Sequence, residues 1–384
     1  MPPSRASRLT GSSVLPSSDT WSANGCCGAA DEGGTSWLPP RTLASRRSLL
    51  ACSAVAPFTW AAGSGPARAQ AYVPLTEDIV VQQVTGAPIY FVLGHPGVPS
   101  TANQGHTSNA GFVVTDKGVI VFDALGTPSL GQALLRKIRA ITDMPVKHVV
   151  VSHYHADHIY GLQAFRDEAD AEIFAQAKAL DYTAAGNTDD EAAEPRLAQR
   201  REALAPWVNA DTRIVLPGVV FRVAAEIRLG GHQFQLVYAG PAHSMSDIMM
   251  LVLPERVLFA GDIVQNGRIP FMASAAVNTR NWLAGLQEVS AMQPRFIIPG
   301  HGKPAESASE AIAFTDTYIR FVRAAMGEAV ARWTEFDAAY QSTDWGRYRD
   351  VPAFGASNRG NAYRVFLEIE AETLASGAGP VSAQ

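Results

Sequence analysis

The sequence predicts an α/β fold in which two β-sheets pack as a sandwich with helices on the outside. Three observations predict it. One group of short apolar segments lies between residues 78 and 123, a second lies between residues 213 and 300, and segments with helical spacing separate and follow them. Strands, helix, strands and helix in this order are typical of a layered α/β arrangement. No fixed-period repeat interrupts the pattern, so we expect one domain.

The first group of strands is predicted by residue type and by its boundaries. Its segments are rich in β-branched or aromatic residues and are bounded by Gly, Pro or Asp. The helix that follows, residues 129–142, has leucines and an isoleucine at helical spacing and a proline just ahead. Residues 146–152 form a continuous apolar run, typical of a strand buried on both faces. The strands of this first group are residues 78–84, 89–93, 110–115 and 118–123.

The second half of the chain repeats this order. Residues 176–208 are polar, rich in alanine and predicted to be helical, and a second group of strands follows them. A helix is predicted over residues 278–292, a longer one with an aromatic face over 305–340, and a short one near 358–374. The strands of the second group are residues 213–217, 219–223, 225–229, 232–240, 247–253, 256–261 and 295–300.

The first 69 residues are interpreted as an export signal with a disordered N-terminus. Paired Arg46 and Arg47 precede an apolar stretch, Leu49–Ala62, and a small-x-small site ends at Ala69. This order resembles a twin-arginine signal and predicts a periplasmic or secreted protein that is cleaved after Ala69. The alternative is a disordered basic tail with a chance arginine pair.

Composition excludes several functions. The formal charge of −5 is mild and no Lys/Arg cluster stands out, so nucleic acid is not an expected partner. No run of eighteen apolar residues indicates a membrane span in the mature chain. The three cysteines, Cys26, Cys27 and Cys52, leave with the predicted signal. Any metal site in the mature chain must therefore use histidine and carboxylate ligands.

A cluster of polar side chains follows the predicted strand at 146–152. His153 and His155 are two residues apart in extended chain, so their side chains point to the same side. Asp157 and His158 lie where the chain turns, so their side chains can face a second position next to the one that His153 and His155 face. A single histidine beside a buried strand is usually a structural residue, but four such groups in six positions would each need a buried partner. Imidazole nitrogen and carboxylate oxygen are suitable zinc ligands, so the cluster predicts metal binding.

The pattern H-x-H-x-D-H after an apolar strand resembles the signature of the metallo-β-lactamase superfamily, and the resemblance covers about residues 78–302. It implies an αββα sandwich of two mixed β-sheets flanked by helices, with the metals at one edge of the sheets. It also implies three further ligands, each after a predicted strand: His243, Asp262 and His301. Carried over position by position, the first metal would bind His153, His155 and His243, the second would bind Asp157, His158 and His301, and Asp262 would bridge both.

Asp262 distinguishes subfamilies. True lactamases of this superfamily have Cys or Ser near this position, whereas glyoxalase-II-like thioesterases and lactone hydrolases have Asp. A Glu in place of His155 would resemble the flavodiiron oxidoreductases. The resemblance therefore implies two zinc ions per chain, with iron or manganese as other candidates, and a bridging hydroxide that attacks an ester, thioester or lactone. Asp157 and Asp262 are the candidate catalytic residues, since Asp157 could take the proton as the leaving group departs.

Three alternatives to this exported zinc hydrolase remain open. They are a metallo-β-lactamase acting on β-lactams, a mononuclear iron sulfur dioxygenase and a non-catalytic metal-binding protein. Residues 70–340 are predicted to form the metallo-β-lactamase-like domain, and residues 341–384 a C-terminal extension that packs on it and ends in a flexible segment. The expected partner is a small-molecule substrate, which the sequence does not identify, and the oligomeric state is not indicated.

Residues around the cluster have predicted supporting roles. Asp123 is expected to support a ligand histidine, and Ser244, Ser246 and Asp247 are expected to shape a turn. Tyr154 and Tyr160 are interpreted as core residues. The loops 94–111 and 265–278 are expected to overhang the metals and select the substrate. The sequence shows no basic patch like the one that glyoxalase II uses for its glutathione carrier.

Overall fold

The computed structural model describes residues 72–184 and 192–377. The predicted export signal, the three cysteines and the predicted flexible end after residue 377 lie outside these ranges. Among the described residues, no helix is both long and apolar enough to span a membrane.

Seven strands form the first sheet in the order of the sequence, from β1 to β7. Neighbours pair antiparallel from β1 to β4 and parallel from β4 to β7, so the sheet is mixed. The strands are β1 (Val81–Gln83), β2 (Ile89–Val92), β3 (Ala110–Thr115), β4 (Gly118–Phe122), β5 (Val146–Val150), β6 (Glu172–Gln176) and β7 (Val219–Phe221).

Five strands form the second sheet in the order β12-β11-β10-β9-β8. The strands from β8 to β11 pair antiparallel, and β11 pairs with β12 in parallel. This sheet is therefore mixed as well. Its strands are β8 (Ala224–Leu229), β9 (His232–Tyr238), β10 (Ile248–Leu253), β11 (Val257–Asn266) and β12 (Phe296–Gly302).

The helices begin at residues suited to cap them. Thr127, Asn278 and Ser307 each accept a hydrogen bond from a backbone N–H of the first turn, which satisfies one of the otherwise unpaired amides. A 3₁₀ helix covers Ala177–Thr183. The α-helices are α1 (Pro128–Ile141), α2 (Ala156–Ile159), α3 (Leu162–Ala169), α4 (Ala193–Ala203), α5 (Thr279–Ala291), α6 (Ala308–Ala331), α7 (Phe336–Ser342) and α8 (Phe354–Ala375).

Three apolar clusters hold the layers together. The central one lies between the two sheets, where Phe122 of β4 stacks on Phe259 of β11 with ring centroids 5.3 Å apart. The second packs α1 and α3 on the first sheet, and the third packs α5, α6 and α8 on the second sheet. Two mixed sheets with helices on both outer sides confirm the predicted αββα sandwich.

Several predicted element boundaries were wrong. Residues 213–217 do not form a strand: Pro217 lacks an N–H, and the carbonyl of Val215 accepts from the hydroxyl of Tyr154 instead of a strand partner. Strand β6 was missed because its segment is short and polar at both ends. The helix predicted over 305–340 is divided into α6 and α7, since Trp333 adopts a left-handed conformation with φ of 57°. The last helix is longer than predicted.

Candidate metal centre

The H-x-H-x-D-H segment lies at the carboxyl end of β5. His153 is buried in the extended chain after the strand, and His155 is the residue before the first turn of α2. Asp157 and His158 lie within that turn. The switch from extended chain to helix turns the second pair of side chains toward a different point from the first pair.

Three histidine nitrogens face one another in a first group. Nδ1 of His155 lies 3.0 Å from Nε2 of His153 and 2.9 Å from Nε2 of His243. His243 comes from the loop between β9 and β10, so this group joins the two sheets. These three residues are the ones that the sequence analysis assigns to a first metal.

Hydrogen bonds at the far side of two of these rings leave the facing nitrogens unprotonated. Ser152 Oγ donates its proton to Asp123 and therefore accepts from Nδ1–H of His153 at 3.0 Å. Nδ1–H of His243 donates to the carbonyl of Phe271 at 3.1 Å. Two buried lone pairs thus point at a third nitrogen about 3 Å away, an arrangement that a shared cation stabilises. The residues present fit a metal ion.

A second group contains Asp157, His158 and His301. Oδ2 of Asp157 lies 3.4 Å from Nε2 of His301 and 3.9 Å from Nε2 of His158. His301 lies within β12, and its Nδ1–H donates to the carbonyl of Thr107 at 2.7 Å. Its Nε2 therefore carries the lone pair that faces the carboxylate. This group matches the residues predicted for a second metal.

Asp262 lies between the two groups. Its Oδ2 is 3.2 Å from Nε2 of His243 and 3.2 Å from Nε2 of His301, and its Oδ1 is 3.3 Å from Nε2 of His158. Among the described residues, this Oδ1 and the Nε2 of His158 are buried without a hydrogen-bond partner. Two facing buried polar atoms without hydrogen-bond partners are suited to share a bound cation. The structure thus brings all seven predicted site residues together.

Burial and charge shift the pKa values of these candidate ligands in opposite directions. Burial lowers the pKa of His153 and of His155 well below the usual value and that of His243 to about 4, which keeps these rings neutral. Burial opposes ionisation of Asp262, yet the nearby histidines, His301 first, hold its pKa well below its usual range. Burial also opposes the charged form of His158, but the surrounding carboxylates raise its pKa.

Asp123 supports the centre as expected from the sequence. Its carboxylate accepts from the backbone N–H of Ser152 at 2.7 Å, from Ser152 Oγ at 2.8 Å, and from Nδ1–H of His158 at 2.8 Å. A left-handed conformation with φ of 62° places it at the end of β4. Asp123 therefore connects His158 of the second group, through Ser152, to His153 of the first.

The predicted turn residues also behave as expected. Asp247 accepts from the backbone N–H groups of Ala242 and Ser244 and from the hydroxyl of Ser244. Burial raises the pKa of Asp247 to about 7. These contacts fix the loop that carries His243. Tyr154 and Tyr160 are buried in the apolar cluster that packs α1 and α3 on the first sheet, as predicted.

A cavity of about 320 Å³ opens above the centre. Both predicted loops contribute to its lining, through Val98 and Pro99 on one side and Phe271 on the other. Three arginines, Arg196, Arg200 and Arg268, line the same cavity. The sequence did not reveal them, since they are far apart in the chain and only the fold brings them together.

Gln265 was also missed by the sequence analysis. It is buried on β11 and its side-chain N–H donates to Oδ2 of Asp262 at 3.1 Å. Its position three residues after Asp262 was the only available signal. Ser357 of α8 reaches the cavity as well, so the C-terminal helix contributes to the site.

A family model described as the metallo-beta-lactamase superfamily matches residues 104–301. Among curated proteins, the linear primary-alkylsulfatase of a Pseudomonas species is 24% identical over 252 residues, covering 58% of this chain and 46% of the alkylsulfatase. The metallo-beta-lactamase IND-1 of Chryseobacterium indologenes is 23% identical over 199 residues, covering 51% of this chain and 72% of IND-1. The chain thus spans about half the length of the alkylsulfatase that it matches.

A solved structure gives the same fold. The stereoselective inverting sec-alkylsulfatase Pisa1 from Pseudomonas sp. is similar with a TM-score of 0.53 and 17% identity, over 76% of this chain and 50% of Pisa1. The likeness supports the sandwich architecture described above. Since the family model covers more than half of the 384 residues, the chain belongs to the metallo-β-lactamase superfamily.

Proposed function

We propose that this chain is an exported dinuclear zinc hydrolase that cleaves an ester-type bond with an activated water molecule. Members of the superfamily are mostly hydrolases, and they usually bind metal, often zinc. The observation that carries the proposal is the position of Asp262, whose carboxylate oxygens lie within 3.3 Å of ligands from both groups.

The donor set favours zinc over magnesium or calcium. Five histidine nitrogens and two carboxylates suit a borderline transition metal, whereas Mg²⁺ and Ca²⁺ prefer oxygen alone. Bound zinc would supply Lewis acidity, which lowers the pKa of water toward ~7 and polarises the substrate bond. The proposed ligands are His153, His155 and His243 for one ion and Asp157, His158 and His301 for the other, with Asp262 shared.

The chain's own residues hold and move protons around this centre. The side chain of Asp157 is 17% exposed and lines the cavity, whereas that of Asp262 is 4% exposed. Burial opposes ionisation of Asp157, but His158 and His301 hold its pKa below the usual value. An ionised carboxylate beside the cavity can accept the proton of the attacking water and pass it to the leaving group. Thr107 positions it, with Oγ1 donating to Oδ2 at 3.3 Å.

An ester-type bond is favoured over a β-lactam. The lactamases of the superfamily that this chain resembles have Cys or Ser near the position of Asp262, whereas this chain has Asp. The similarity to the Pseudomonas alkylsulfatase adds sulfate esters to the candidate substrates. Export through the twin-arginine signal at Arg46 and Arg47 is part of the proposal, and cell fractionation of an R46K/R47K double variant tests it.

The experiment is a substrate panel on zinc-loaded protein. Esters, thioesters, lactones, sulfate esters and β-lactams are compared for wild type and for Asp262→Ala. We expect hydrolysis of one or more ester-type substrates, lowered by orders of magnitude in the variant, with the fold retained by circular dichroism. Turnover of β-lactams alone would refute the ester assignment. Near-wild-type turnover by Asp262→Ala at full metal occupancy would refute the shared-ligand role.

A further inference from the structure

The cavity above the candidate metal centre has a wall of arginines. Arg196 and Arg200 are four residues apart on α4, so their side chains lie on the same face of the helix. Arg268 follows β11 and reaches the cavity from the other sheet. Three cations from two distant segments thus meet beside the residues proposed to bind metal.

Arg268 is a buried cation without an anionic partner. It is 6% exposed and forms no ion pair with any residue that the structure describes. Its Nη1 lies 2.8 Å from Nδ1 of His301, but that nitrogen already donates to the carbonyl of Thr107. Because both nitrogens are donors, neither can accept a hydrogen bond from the other. The Nε of Arg268 also lacks a hydrogen-bond partner within the described part of the chain. A buried unpaired charge is costly, so this arrangement calls for an acceptor from outside.

The arginines also repel one another. Burial lowers the pKa of Arg268, and the like charge of Arg200 lowers it further. Burial and then the charge of Arg200 have the same effect on Arg196. Guanidinium groups nevertheless stay protonated in proteins. The carboxylates that favour the charge of Arg268 are Asp157 and Asp262, which are proposed metal ligands and would share their charge with the metals.

We propose that Arg200 and Arg268 bind an oxyanion group of the substrate, so that the enzyme acts on small anionic esters. This inference rests on the proposed hydrolase function and specifies its substrate class. A planar guanidinium donates paired hydrogen bonds to carboxylate, sulfate or phosphate oxygens. Arg268 contacts the outer side of the His301 ring, so the bound oxyanion lies next to the reacting centre.

The rest of the cavity fits the organic part of such a substrate. Val98, Pro99, Phe271 and Ala356 supply apolar lining in the same cavity as the charged groups. A volume of about 320 Å³ holds a small molecule. Hydrolysis breaks the bond between the bridging ester oxygen and the acyl, sulfuryl or phosphoryl group. The hydroxyl of water joins that group, and the remaining proton of water goes to the leaving alcohol. No other reactant is required.

Matched substrates test the proposal. Zinc-loaded protein is assayed with an aryl ester that bears a free carboxylate, its neutral methyl-ester analogue, an aryl sulfate and an aryl phosphate. We expect Arg200→Gln to lower kcat/KM for the preferred anionic substrate by about 10- to 100-fold, the effect of losing a charged hydrogen bond. The neutral analogue should change by less than about twofold. The preferred anion identifies the group that is bound.

Three further variants separate binding from folding. Arg268→Gln should give a larger loss than Arg268→Lys, which keeps the charge. Arg228→Gln removes the same charge from a side chain that is 77% exposed on β8, and it should have no effect. Equal losses for anionic and neutral substrates in Arg200→Gln and Arg268→Lys would overturn the proposal, because the arginines would then only support the structure.

An equilibrium measurement decides the question without turnover. Inorganic sulfate and inorganic phosphate are titrated calorimetrically into zinc-loaded wild type and into Arg200→Gln. A weakening of Kd by about tenfold or more supports the anion site. Unchanged Kd for both anions overturns it, even if the protein hydrolyses esters. Arginine-dependent anion binding without hydrolysis of any ester would instead refute the proposed function and leave the anion site standing.

Discussion

Asp123 accepts a hydrogen bond from Nδ1 of His158 at 2.8 Å, and both side chains are buried. The bond commits Nδ1 of His158 to Asp123 and leaves Nε2 as the ring nitrogen that faces Asp262. The carboxylate of Asp123 also accepts a hydrogen bond from Ser152 Oγ, and Ser152 Oγ accepts one from Nδ1–H of His153. One residue at the end of β4 therefore sets the protonation of a ligand in each group.

We predict that Asp123→Asn weakens metal binding by about 10- to 100-fold, the usual effect of losing a carboxylate behind a ligand histidine. Asparagine keeps the size of the side chain but removes the charge and offers a donor toward Ser152. Competition titration with a zinc chelator measures the change. Asp116→Asn, on an exposed turn, is the control. Equal zinc affinity for wild type and Asp123→Asn would show that Asp123 does not tune the ligands.

Gly300 is predicted to be essential for the position of Asp262. A Cβ at this residue would lie 2.0 Å from Oδ1 of Asp262 and 2.6 Å from the backbone of Gly261, so Gly300→Ala must displace one of them. We expect loss of one bound metal ion per chain and a large fall in turnover. Gly218→Ala, where the added Cβ meets no atom within 4 Å, is the matched control. Full metal content and activity in Gly300→Ala would contradict the close packing described for this pair.

Asn361 of α8 connects the C-terminal helix to the loop that carries Phe271. Its side chain donates to the carbonyl of Pro270 at 2.6 Å and accepts from the N–H of Met272 at 2.7 Å, and the residue is fully buried. We predict that Asn361→Ala lowers the free energy of unfolding by about 2–4 kcal/mol, because two buried backbone groups lose their partner. Urea denaturation measures it. Asn281→Ala, on the exposed face of α5, should cost far less.

Stability of the metal-free protein is predicted to be highest near pH 6.5. The lowered pKa values of His153, His155 and His243 mean that the unfolded chain binds more protons between about pH 4 and 6.5, so acidification destabilises the fold. The lowered pKa of His243 alone reduces the free energy of unfolding by about 3 kcal/mol as the pH falls through this window. The raised pKa values of His158 and Asp247 have the opposite sign. The stabilisation from His158 is lost as pH rises through its raised pKa, and Asp247 lowers stability as pH rises toward about 7, so it opposes part of the effect of the three histidines.

Urea denaturation of chelator-treated protein at pH 5, 6.5 and 8 tests this profile. His243→Gln should flatten the acidic side, since glutamine does not titrate. A stability that increases from pH 6.5 to pH 5 would show that the first group of histidines is not held neutral by burial.

That the seven candidate metal-binding residues lie together could be predicted, because the signal of four of them is local and the family resemblance implies the other three. His153, His155, Asp157 and His158 occupy six consecutive positions, and His243, Asp262 and His301 each follow an apolar strand. The sheets were predictable for the same reason, since strand periodicity and glycine or proline boundaries are read over a few residues. Residues 213–217 show where local patterns fail to predict a strand. The carbonyl of Val215 in this apolar run accepts a hydrogen bond from Tyr154 and not from a neighbouring strand, and that contact depends on tertiary packing.

The cavity wall could not be predicted. Arg196 and Arg200 are ordinary polar residues of a weakly amphipathic helix, and Arg268 is an isolated cation in a loop. Their meeting depends on how α4 and the loop after β11 pack across the edge of two sheets. Likewise, nothing in the local sequence of Asn361 indicates that it holds a loop 89 residues away.

Metal content tests the central claim most directly. Purified wild-type protein and Asp262→Ala are analysed by inductively coupled plasma mass spectrometry after dialysis against metal-free buffer. Two ligand groups that share Asp262 predict two zinc ions per chain in the wild type and one or none in the variant. A single metal ion per wild-type chain, or two in Asp262→Ala, would contradict the dinuclear centre.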